Sequence, residues 1–240
     1  MKNFYDAVLE RRRVRVYKNE PLTKDQENKI IEAINLAPSS SNWNVSSAVV
    51  VTDKKILKQL SDLAPFSTHL KTAPMLVVFL ADNNRMNYAK AKHPKVAYNN
   101  HSSESYTTAI GDAFIQATMA QDMAISLGLG TCFLGLSRVL VEPINKLLNI
   151  KGQAFPVIMM SIGAPDENPK LTPKLNRVFN NKYDQTKLEK EVEAYAPVIN
   201  EHVKSNGFNF DYFEKSVTSA ANYPMQTEVI EKIWKLELKK

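Results

Sequence analysis

Residues 75–80 read Met75-Leu76-Val77-Val78-Phe79-Leu80, an apolar run without a polar interruption. A strand that is buried on both faces has this pattern, because both sets of alternating side chains must be apolar. Further apolar runs of strand length occur at residues 48–51, 131–134 and 155–162. The sequence therefore predicts a sheet of four to five strands.

Helical patterns lie between and around these strands. Thr23 and Gln26 have the spacing of a capping box, and the helix that they begin ends at Pro38. Residues 3–12 predict a short helix, whereas the polar residues 82–104 predict a long surface loop or lid. A long and largely buried helix is predicted from about 105 to 127, where apolar residues recur at helical spacing: Ile110, Phe114, Ala117, Ala124 and Leu127.

The pattern changes after Asp184. Charged helical segments cover about 186–204 and 225–238, and an aromatic-rich linker at 208–213 joins them. No internal repeat separates a second domain, so we predict a single domain over 1–240, with a core over about 1–183 and a C-terminal helical extension over about 184–240. The interleaved helices and strands indicate an α+β or α/β fold.

The composition excludes several classes of protein. The 240 residues include 31 Lys+Arg and 25 Asp+Glu, a net charge of +6, and 44% are hydrophobic, which is typical of a globular chain. A membrane helix needs about 20 consecutive apolar residues, and no stretch approaches this. A single cysteine, Cys132, excludes an internal disulfide and a multi-cysteine metal site. We therefore expect a soluble, cytoplasmic protein without a membrane partner.

The arginines are concentrated in one place. Four of the seven lie in Arg11-Arg12-Arg13-Val14-Arg15. Arginine presents a planar fork that suits phosphate oxygens, so the run indicates an anion site. Two alternatives remain open: a solvated helix end, and a nucleic-acid-binding segment, although nearby stacking aromatics are few.

The familiar catalytic patterns are missing from the sequence. It contains no Gly-x-Ser-x-Gly, no phosphate-binding P-loop and no Gly-x-Gly-x-x-Gly. The histidines, among them His69, lack metal-ligand spacing and are interpreted as surface or loop residues. Cys132 lies in an apolar strand and is interpreted as a small core residue. If the protein is an enzyme, a cofactor carries its reaction.

Four segments together carry a family resemblance. They are Glu10–Tyr17 (Glu-Arg-Arg-Arg-Val-Arg-Val-Tyr), Ala37–Asn44 (Ala-Pro-Ser-Ser-Ser-Asn-Trp-Asn), Leu127–Gly135 and Ile162–Leu175. In this order they resemble the FMN-dependent nitroreductase family, and in particular its longer, flavin-reductase-like branch. The resemblance implies an α+β fold with a central mixed, mainly antiparallel sheet flanked by helices. It also implies a homodimer whose C-terminal helical extension wraps the partner.

The resemblance assigns cofactor-binding residues to each segment. Arg11 and Arg13 are expected at the FMN phosphate and Arg15 at the pyrimidine edge of the ring; Arg13 departs from the Ser or Thr that is usual in the family. The loop over Ala37–Asn44 is expected to cover the partner's flavin. The full expected set is Arg11, Arg12, Arg13, Arg15, Ser39, Ser40, Ser41, Asn42, Thr72, Phe133, Leu134, Gly135 and Lys174.

One substitution among these segments suggests a compensation. The family places two cations of the fourth segment on the phosphate; Lys174 matches one position, but Thr172 occupies the other. We interpret Arg13 as supplying the missing charge, an interpretation that requires the Arg13 side chain to face the site.

The activity implied by the resemblance is that of an FMN oxidoreductase. Hydride passes from NADPH, or NADH, through flavin N5 to a nitroaromatic, quinone or flavin acceptor in a ping-pong scheme, and no protein side chain is catalytic. Two alternatives are a flavin-binding sensor or regulatory subunit without robust turnover, and a nucleic-acid-binding module that uses Arg11–Arg15. The resemblance favours small-molecule acceptors as partners and no nucleic acid.

Overall fold

The computed structural model describes residues 3–65 and 67–236. Four strands form one sheet in the order β1-β2-β4-β3: β1 is Ser46–Val51, β2 is Met75–Asp82, β3 is Gly130–Leu134 and β4 is Ala154–Gly163. All three strand pairs are antiparallel. The one parallel feature among the described residues is an isolated bridge between Arg13 and Thr131.

The central strand β2 separates two apolar cores. Met75, Val77 and Phe79 pack into one cluster, whereas Leu76 and Val78 pack into the other. Alternating side chains point to opposite faces of a strand, so an unbroken apolar run is what two cores require. The prediction that 75–80 is a strand buried on both faces is confirmed.

Helices lie between and after the strands along the chain. Their bounds in the described residues are α1 Phe4–Leu9, α2 Lys24–Asn35, α3 Lys54–Leu63, α4 Asn84–Lys92, α5 Ser103–Ser126, α6 Val141–Leu147, α7 Gln185–Lys204, α8 Tyr212–Ala221 and α9 Thr227–Trp234, with 3-10 turns at Ser40–Asn42, Thr68–Lys71 and Gly135–Arg138. The capping box of α2 is confirmed, since Gln26 N donates to Thr23 Oγ1 at 3.2 Å and Thr23 N donates to Gln26 Oε1 at 2.9 Å.

Helix α5 packs on the sheet through alanines. Ala109, Ala113, Ala117, Ala120 and Ala124 are all completely buried. Small side chains at helical spacing let the helix axis approach the sheet closely. The prediction that Phe114 belongs to the buried face was wrong: its side chain is 42% exposed, and the neighbouring Ile115 is 39% exposed. These two large apolar residues lie on the face of α5 that the chain leaves uncovered.

The segment 82–104 is not one long loop as predicted, because α4 lies within it. None of the α4 residues is buried, so the segment carries no apolar periodicity that a sequence pattern could detect.

Two other predictions also need correction. The segment 208–213 is not only a linker, since α8 begins at Tyr212, and α1 ends at Leu9 because the residues after it pair with the sheet.

The chain divides into two compact units. One contains the chain up to Pro169 together with the segment from Met225, and the other is Lys170–Pro224. In the first unit, Trp234 of α9 is completely buried, and its indole nitrogen donates to Ser105 Oγ at 3.1 Å. The second unit consists mainly of α7 and α8. The single-domain organisation with a core boundary near 183 stays a prediction.

The described residues contain neither a membrane-spanning helix nor a metal-binding cluster. None of their helices is long and apolar enough to cross a bilayer. Across residues 3–65 and 67–236, no group of three or more His, Cys, Asp or Glu side chains is arranged to hold a metal ion.

Candidate functional site

The arginine segment, residues 11–18, runs beside β3 and extends the edge of the sheet. Val14 N donates to the Thr131 carbonyl at 3.1 Å, and Lys18 N donates to the Ala164 carbonyl at 2.9 Å. The backbone of the segment is therefore held at both ends by the end of the sheet. This pairing fixes an extended conformation, in which alternate side chains leave on the same side.

Glu167 holds the middle of the segment. Its Oε1 accepts a short hydrogen bond from Arg15 N and a second one, at 3.0 Å, from Val16 N. Both bonds go to a carboxylate, so they are stronger than bonds between neutral groups. The backbone beside Arg15 is thereby fixed from a second element, the residues that follow β4.

Tyr17 forms a buried support beneath the segment. Its hydroxyl lies 2.8 Å from both the Val14 carbonyl and Ser161 Oγ. Burial raises the pKa of the Tyr17 phenol, which therefore stays neutral and keeps its proton for these bonds. A Cβ on Gly163 would lie 2.8 Å from Tyr17 Cδ1, so the glycine leaves the space that the ring occupies.

Arg13 and Arg15 form a cationic cluster with His69 and Cys132. Partial burial lowers the pKa of the Arg13 guanidinium, and the positive charge of Arg15 lowers it further. The positive charge of Arg15 also acts on the Cys132 thiol. Burial is the main cause that raises the pKa of the Cys132 thiol, so the thiol stays protonated. Its interpretation as a core residue is confirmed, since it is only 3% exposed.

His69 is the member of this cluster that the sequence interpretation placed wrongly. It lies on the turn Thr68–Lys71 between α3 and β2 but is only 8% exposed, so it is not a surface residue. Burial lowers the pKa of its imidazole, and Arg15 and Arg13 lower it further, so the ring is neutral at pH 7. Its Nε2 is buried and has no hydrogen-bond partner in the described part of the chain.

Arg11 and Arg12 lie at the other end of the segment. Both line a cavity of about 230 Å³ together with Gly128, Gly130 and Asn168. Arg12 Nη1 donates to Asn168 Oδ1 at 2.7 Å, while its buried Nε has no partner among the described residues. The run therefore divides into two pairs of arginines in different surroundings.

The predicted residues of the third segment lie at the end of β3. Phe133 is 38% exposed, Leu134 is buried, and Gly135 begins the turn Gly135–Arg138. The Cys132 side chain that precedes them contacts Arg15, so their backbone continues directly from the cationic cluster. The structure thus brings the first and third segments together.

The loop over residues 39–44 is anchored on α5. Ser40 N donates to Asp112 Oδ1 at 3.0 Å, and Asn44 N donates to Ser39 Oγ at 3.2 Å. Three of its residues have positive φ angles: Ser41 at 47°, Asn42 at 57° and Asn44 at 53°. Such angles are uncommon for residues other than glycine, so tertiary contacts hold this loop in shape.

Within one chain, this loop and the arginine segment lie at different levels of α5. The loop is attached at Asp112, whereas Gln121 Nε2 donates to Thr131 Oγ1 at 3.0 Å beside Val14. Nine residues of α-helix span about 14 Å. The second predicted segment is therefore not adjacent to the first within the same chain.

Two predicted site residues remain, Thr72 and Lys174. Thr72 is exposed in the wall of a cavity of about 690 Å³ that is also lined by Lys54, Leu57 and Ser61 of α3. Lys174 is an exposed residue of the unit Lys170–Pro224. Their assignments to the cofactor stay predictions.

Comparison with known proteins decides the family. A model of the nitroreductase family matches residues 8–164 of the chain. The chain belongs to the nitroreductase family. The matched range contains both the arginine segment and the whole sheet, so the predicted family and the predicted α+β fold class are confirmed.

Relatives within the nitroreductase family align over almost the whole chain. An FMN reductase (NAD(P)H) of Bacillus subtilis (strain 168) is 29% identical over 242 residues, which cover 97% of each chain. An NADPH-flavin oxidoreductase of Vibrio harveyi is 28% identical over 214 residues, covering 87% of this chain and 86% of the relative. The alignments therefore extend beyond the segment matched by the family model.

Solved structures have the same fold. The hypothetical oxidoreductase YcnD of Bacillus subtilis matches with a TM-score of 0.88 and 28% identity, covering 100% of both chains. B. megaterium NfrA2 matches with a TM-score of 0.90 over 100% of both chains at 23% identity. The fold is thus shared along its full length.

Sequence reasoning missed two residues that the structure places beside Arg13 and Arg15. Glu167 lies between Pro165 and Pro169 in the fourth segment. Only its hydrogen bonds with Arg15 N and Val16 N reveal its role. His69 was set aside because a lone histidine has no spacing to interpret. In both cases the neighbours of the residue in the folded chain reveal its place, and no local sequence pattern indicates them.

Proposed function

We propose that this member of the nitroreductase family is an FMN-containing oxidoreductase that oxidises NAD(P)H and reduces nitroaromatic, quinone or flavin acceptors. The observation that carries the proposal is the cationic cluster of Arg13 and Arg15. Partial burial and the positive charge of Arg15 lower the pKa of the Arg13 guanidinium, so an anion bound beside the two groups stabilises the charged form of Arg13.

The residues present suit FMN. The arginine segment offers four guanidinium groups on a backbone that is fixed by Thr131, Ala164 and Glu167. The buried and unpartnered atoms Arg12 Nε and His69 Nε2 are both donors or potential donors. A phosphate and the carbonyl-rich edge of a flavin supply the acceptors that such a site lacks.

Three of the four arginines have a specific role in the proposed site. Arg11 and Arg13 bind the phosphate, and Arg15 lies beside the pyrimidine edge, where its charge stabilises a reduced ring. FMN, when bound, supplies a ring that accepts a hydride and gives it up again. Arg13 interacts electrostatically with Arg15, Cys132 and Glu167, which agrees with the requirement that it face the site.

The chain's own residues bind and orient, and none is required to transfer a proton. The donor leaves before the acceptor enters, so both use the same opening and the kinetics are ping-pong. This proposal predicts parallel double-reciprocal plots at several fixed acceptor concentrations. Intersecting plots would contradict the ordered release of the donor.

We infer a homodimer in which each site contains residues of both chains. Two observations support it: the loop over 39–44 lies about 14 Å along α5 from the arginine segment of its own chain, and Phe114 and Ile115 expose apolar surface on the same helix. A second copy that covers this surface brings its loop to the first chain's arginines.

Mixing two defective variants tests this arrangement. Arg15→Ala removes a cation from the site, and Asp112→Ala releases the loop. In a mixed dimer built as proposed, one site carries both defects and the other carries neither, so about a quarter of all sites recover after random mixing. If both elements came from the same chain, mixing would restore no activity.

The basic test of function uses the purified protein. We expect a yellow protein with a two-banded flavin spectrum that NAD(P)H bleaches and a quinone restores. A protein that binds FMN but does not turn over supports the sensor alternative. A colourless protein that does not take up FMN, and whose affinity for nucleic acid falls steeply with salt, supports the nucleic-acid alternative.

The nicotinamide donor is proposed to be NADPH, in line with the branch that the chain resembles. No arginine follows Arg177, so a cluster of arginines for the 2′-phosphate is missing from the C-terminal sequence and NADH is the close alternative. Initial rates at equal concentrations of the two donors decide between them.

A further inference from the structure

His69 is a buried titratable side chain of the cationic cluster for which the proposed function names no specific contact. It lies on the turn Thr68–Lys71, directly before β2, and Ala73 N donates to its carbonyl at 3.1 Å. Its backbone is therefore held by the chain that leads into the sheet, and its side chain is buried near Arg13 and Arg15.

The charged groups around the ring come from two elements. Arg13 and Arg15 belong to the arginine segment, and Glu167 belongs to the residues after β4. The Glu167 Oε1 atom already accepts the N–H groups of Arg15 and Val16. The other titratable groups that face the cluster, the Cys132 thiol and the Tyr17 phenol, both have raised pKa values and stay neutral.

A buried imidazole nitrogen without a partner is unfavourable. The Nε2 atom has no hydrogen-bond partner among the described residues, and a buried polar group that leaves its hydrogen bond unmade costs free energy. In the tautomer that carries the proton on Nε2, this nitrogen is a donor, and the two neighbouring guanidinium groups, which are also donors, cannot accept its hydrogen bond. The group that completes the site must therefore bring acceptor oxygens and negative charge.

We propose that His69 is a flavin-binding residue, whose Nε2 donates a hydrogen bond to an oxygen of FMN held by Arg13 and Arg15. This inference rests on the proposed FMN site and adds a residue to it. Neutral imidazole carries one N–H, and the tautomer with the proton on Nε2 makes this bond.

The proposal has a signature that a purely structural histidine lacks. In the protein without FMN, burial and the two arginines lower the pKa of His69. The negative charge of bound FMN opposes the arginines, so binding raises this pKa. A group whose pKa rises on binding strengthens binding at low pH, and the gain is lost as pH rises through the pKa of the bound state.

The test measures FMN affinity by flavin fluorescence on apoprotein of the full chain, between pH 5.5 and 8.5. The variants are His69→Leu, which removes the donor, and His69→Gln, which keeps an N–H donor but cannot be protonated. His101→Gln is the matched control, because His101 Nδ1 already lies 2.9 Å from the Trp234 carbonyl, away from the arginines. Titration with riboflavin in parallel separates the effect of the phosphate, whose second pKa is about 6.

We expect His69→Leu to weaken FMN binding about tenfold or more, because the lost bond is to a charged or strongly polarised acceptor. His69→Gln should stay close to the unmodified protein at pH 8.5 and fall increasingly behind it as the pH decreases. The control variant should follow the unmodified protein at every pH.

Two results would overturn the inference. One is FMN affinity within twofold of the unmodified protein for a folded His69→Leu variant. The other is an equal loss for both His69 variants at every pH, which would indicate packing alone. If Arg15→Ala loses FMN while both His69 variants retain it, only this inference fails; if the unmodified protein does not bind FMN, the proposed function itself fails.

Discussion

Val14 and Gly130 pack so closely that no side chain fits between them. A Cβ on Gly130 would lie 2.7 Å from Val14 Cβ, and at a similar distance from both of its methyl groups. The contact is close because Val14 N also donates to the Thr131 carbonyl at 3.1 Å. The first residue of β3 therefore has to be glycine for the arginine segment to lie against the strand.

Gly130→Ala is expected to displace the arginine segment. The branched Val14 side chain cannot move aside without its backbone, so we expect a loss of stability of about 1–3 kcal/mol and weaker FMN binding. Thermal unfolding and the flavin content of the purified protein measure the two effects. Gly111→Ala is the matched control, since nothing lies within 4 Å of its added Cβ; alanine in that helix is expected to leave stability unchanged or raise it by up to about 1 kcal/mol.

The hydrogen bonds and the negative charge of Glu167 are expected to have opposite effects on FMN affinity. Glu167→Gln keeps an acceptor oxygen for Arg15 N and Val16 N but removes a negative charge from the cationic cluster. We expect it to bind FMN at least as tightly as the unmodified protein. Glu167→Ala leaves both N–H groups without their acceptor, and we expect about tenfold weaker binding or more.

FMN titrations of the two variants, beside Asp166→Asn as a control for the loss of one neighbouring negative charge, measure this difference. Equal affinity for Glu167→Gln and Glu167→Ala would show that the two hydrogen bonds do not position the segment.

Arg13→Ser is expected to weaken FMN binding without lowering the thermal stability of the protein. Arg13 is destabilised by partial burial and by the charge of Arg15, so its removal should keep or raise the thermal stability of the protein without FMN. The same change removes a proposed ligand of the FMN phosphate, and we expect FMN affinity to fall about tenfold. Differential scanning fluorimetry without FMN and a flavin titration give the two readings.

Lys18→Ser provides the control for that variant, because it removes one exposed cation from the same segment. A fall in FMN affinity that is as large for Lys18→Ser would indicate a general charge effect, not a specific Arg13 contact.

Tyr17→Phe tests the buried support. The change removes the hydroxyl that lies 2.8 Å from the Val14 carbonyl and from Ser161 Oγ. Because both partners are buried, we expect a loss of about 1–3 kcal/mol in the free energy of unfolding, measured by denaturant titration. Tyr5→Phe, at a residue that is 67% exposed, is the control and should change stability little. A neutral Tyr17→Phe variant would contradict the role of this hydroxyl.

Much of the site was predictable because its residues are contiguous. The four arginines, the strand that follows Gly130 and the loop over 39–44 are each a short segment with a recognisable composition. The predictions went wrong where a residue acts through a distant partner. His69 was interpreted as a surface or loop residue, whereas it is buried beside Arg13 and Arg15.

The sequence by itself determined the sheet, the buried strand over 75–80 and the nitroreductase motifs, because these depend on residue type and short-range spacing. It also determined where the positive charge is concentrated. The tertiary structure decided which face of α5 is buried, since alanines can approach the sheet more closely than Phe114 can. It also decided that Glu167 and His69 join Arg13 and Arg15, because their proximity depends on how segments far apart in the chain pack together, which local spacing does not record.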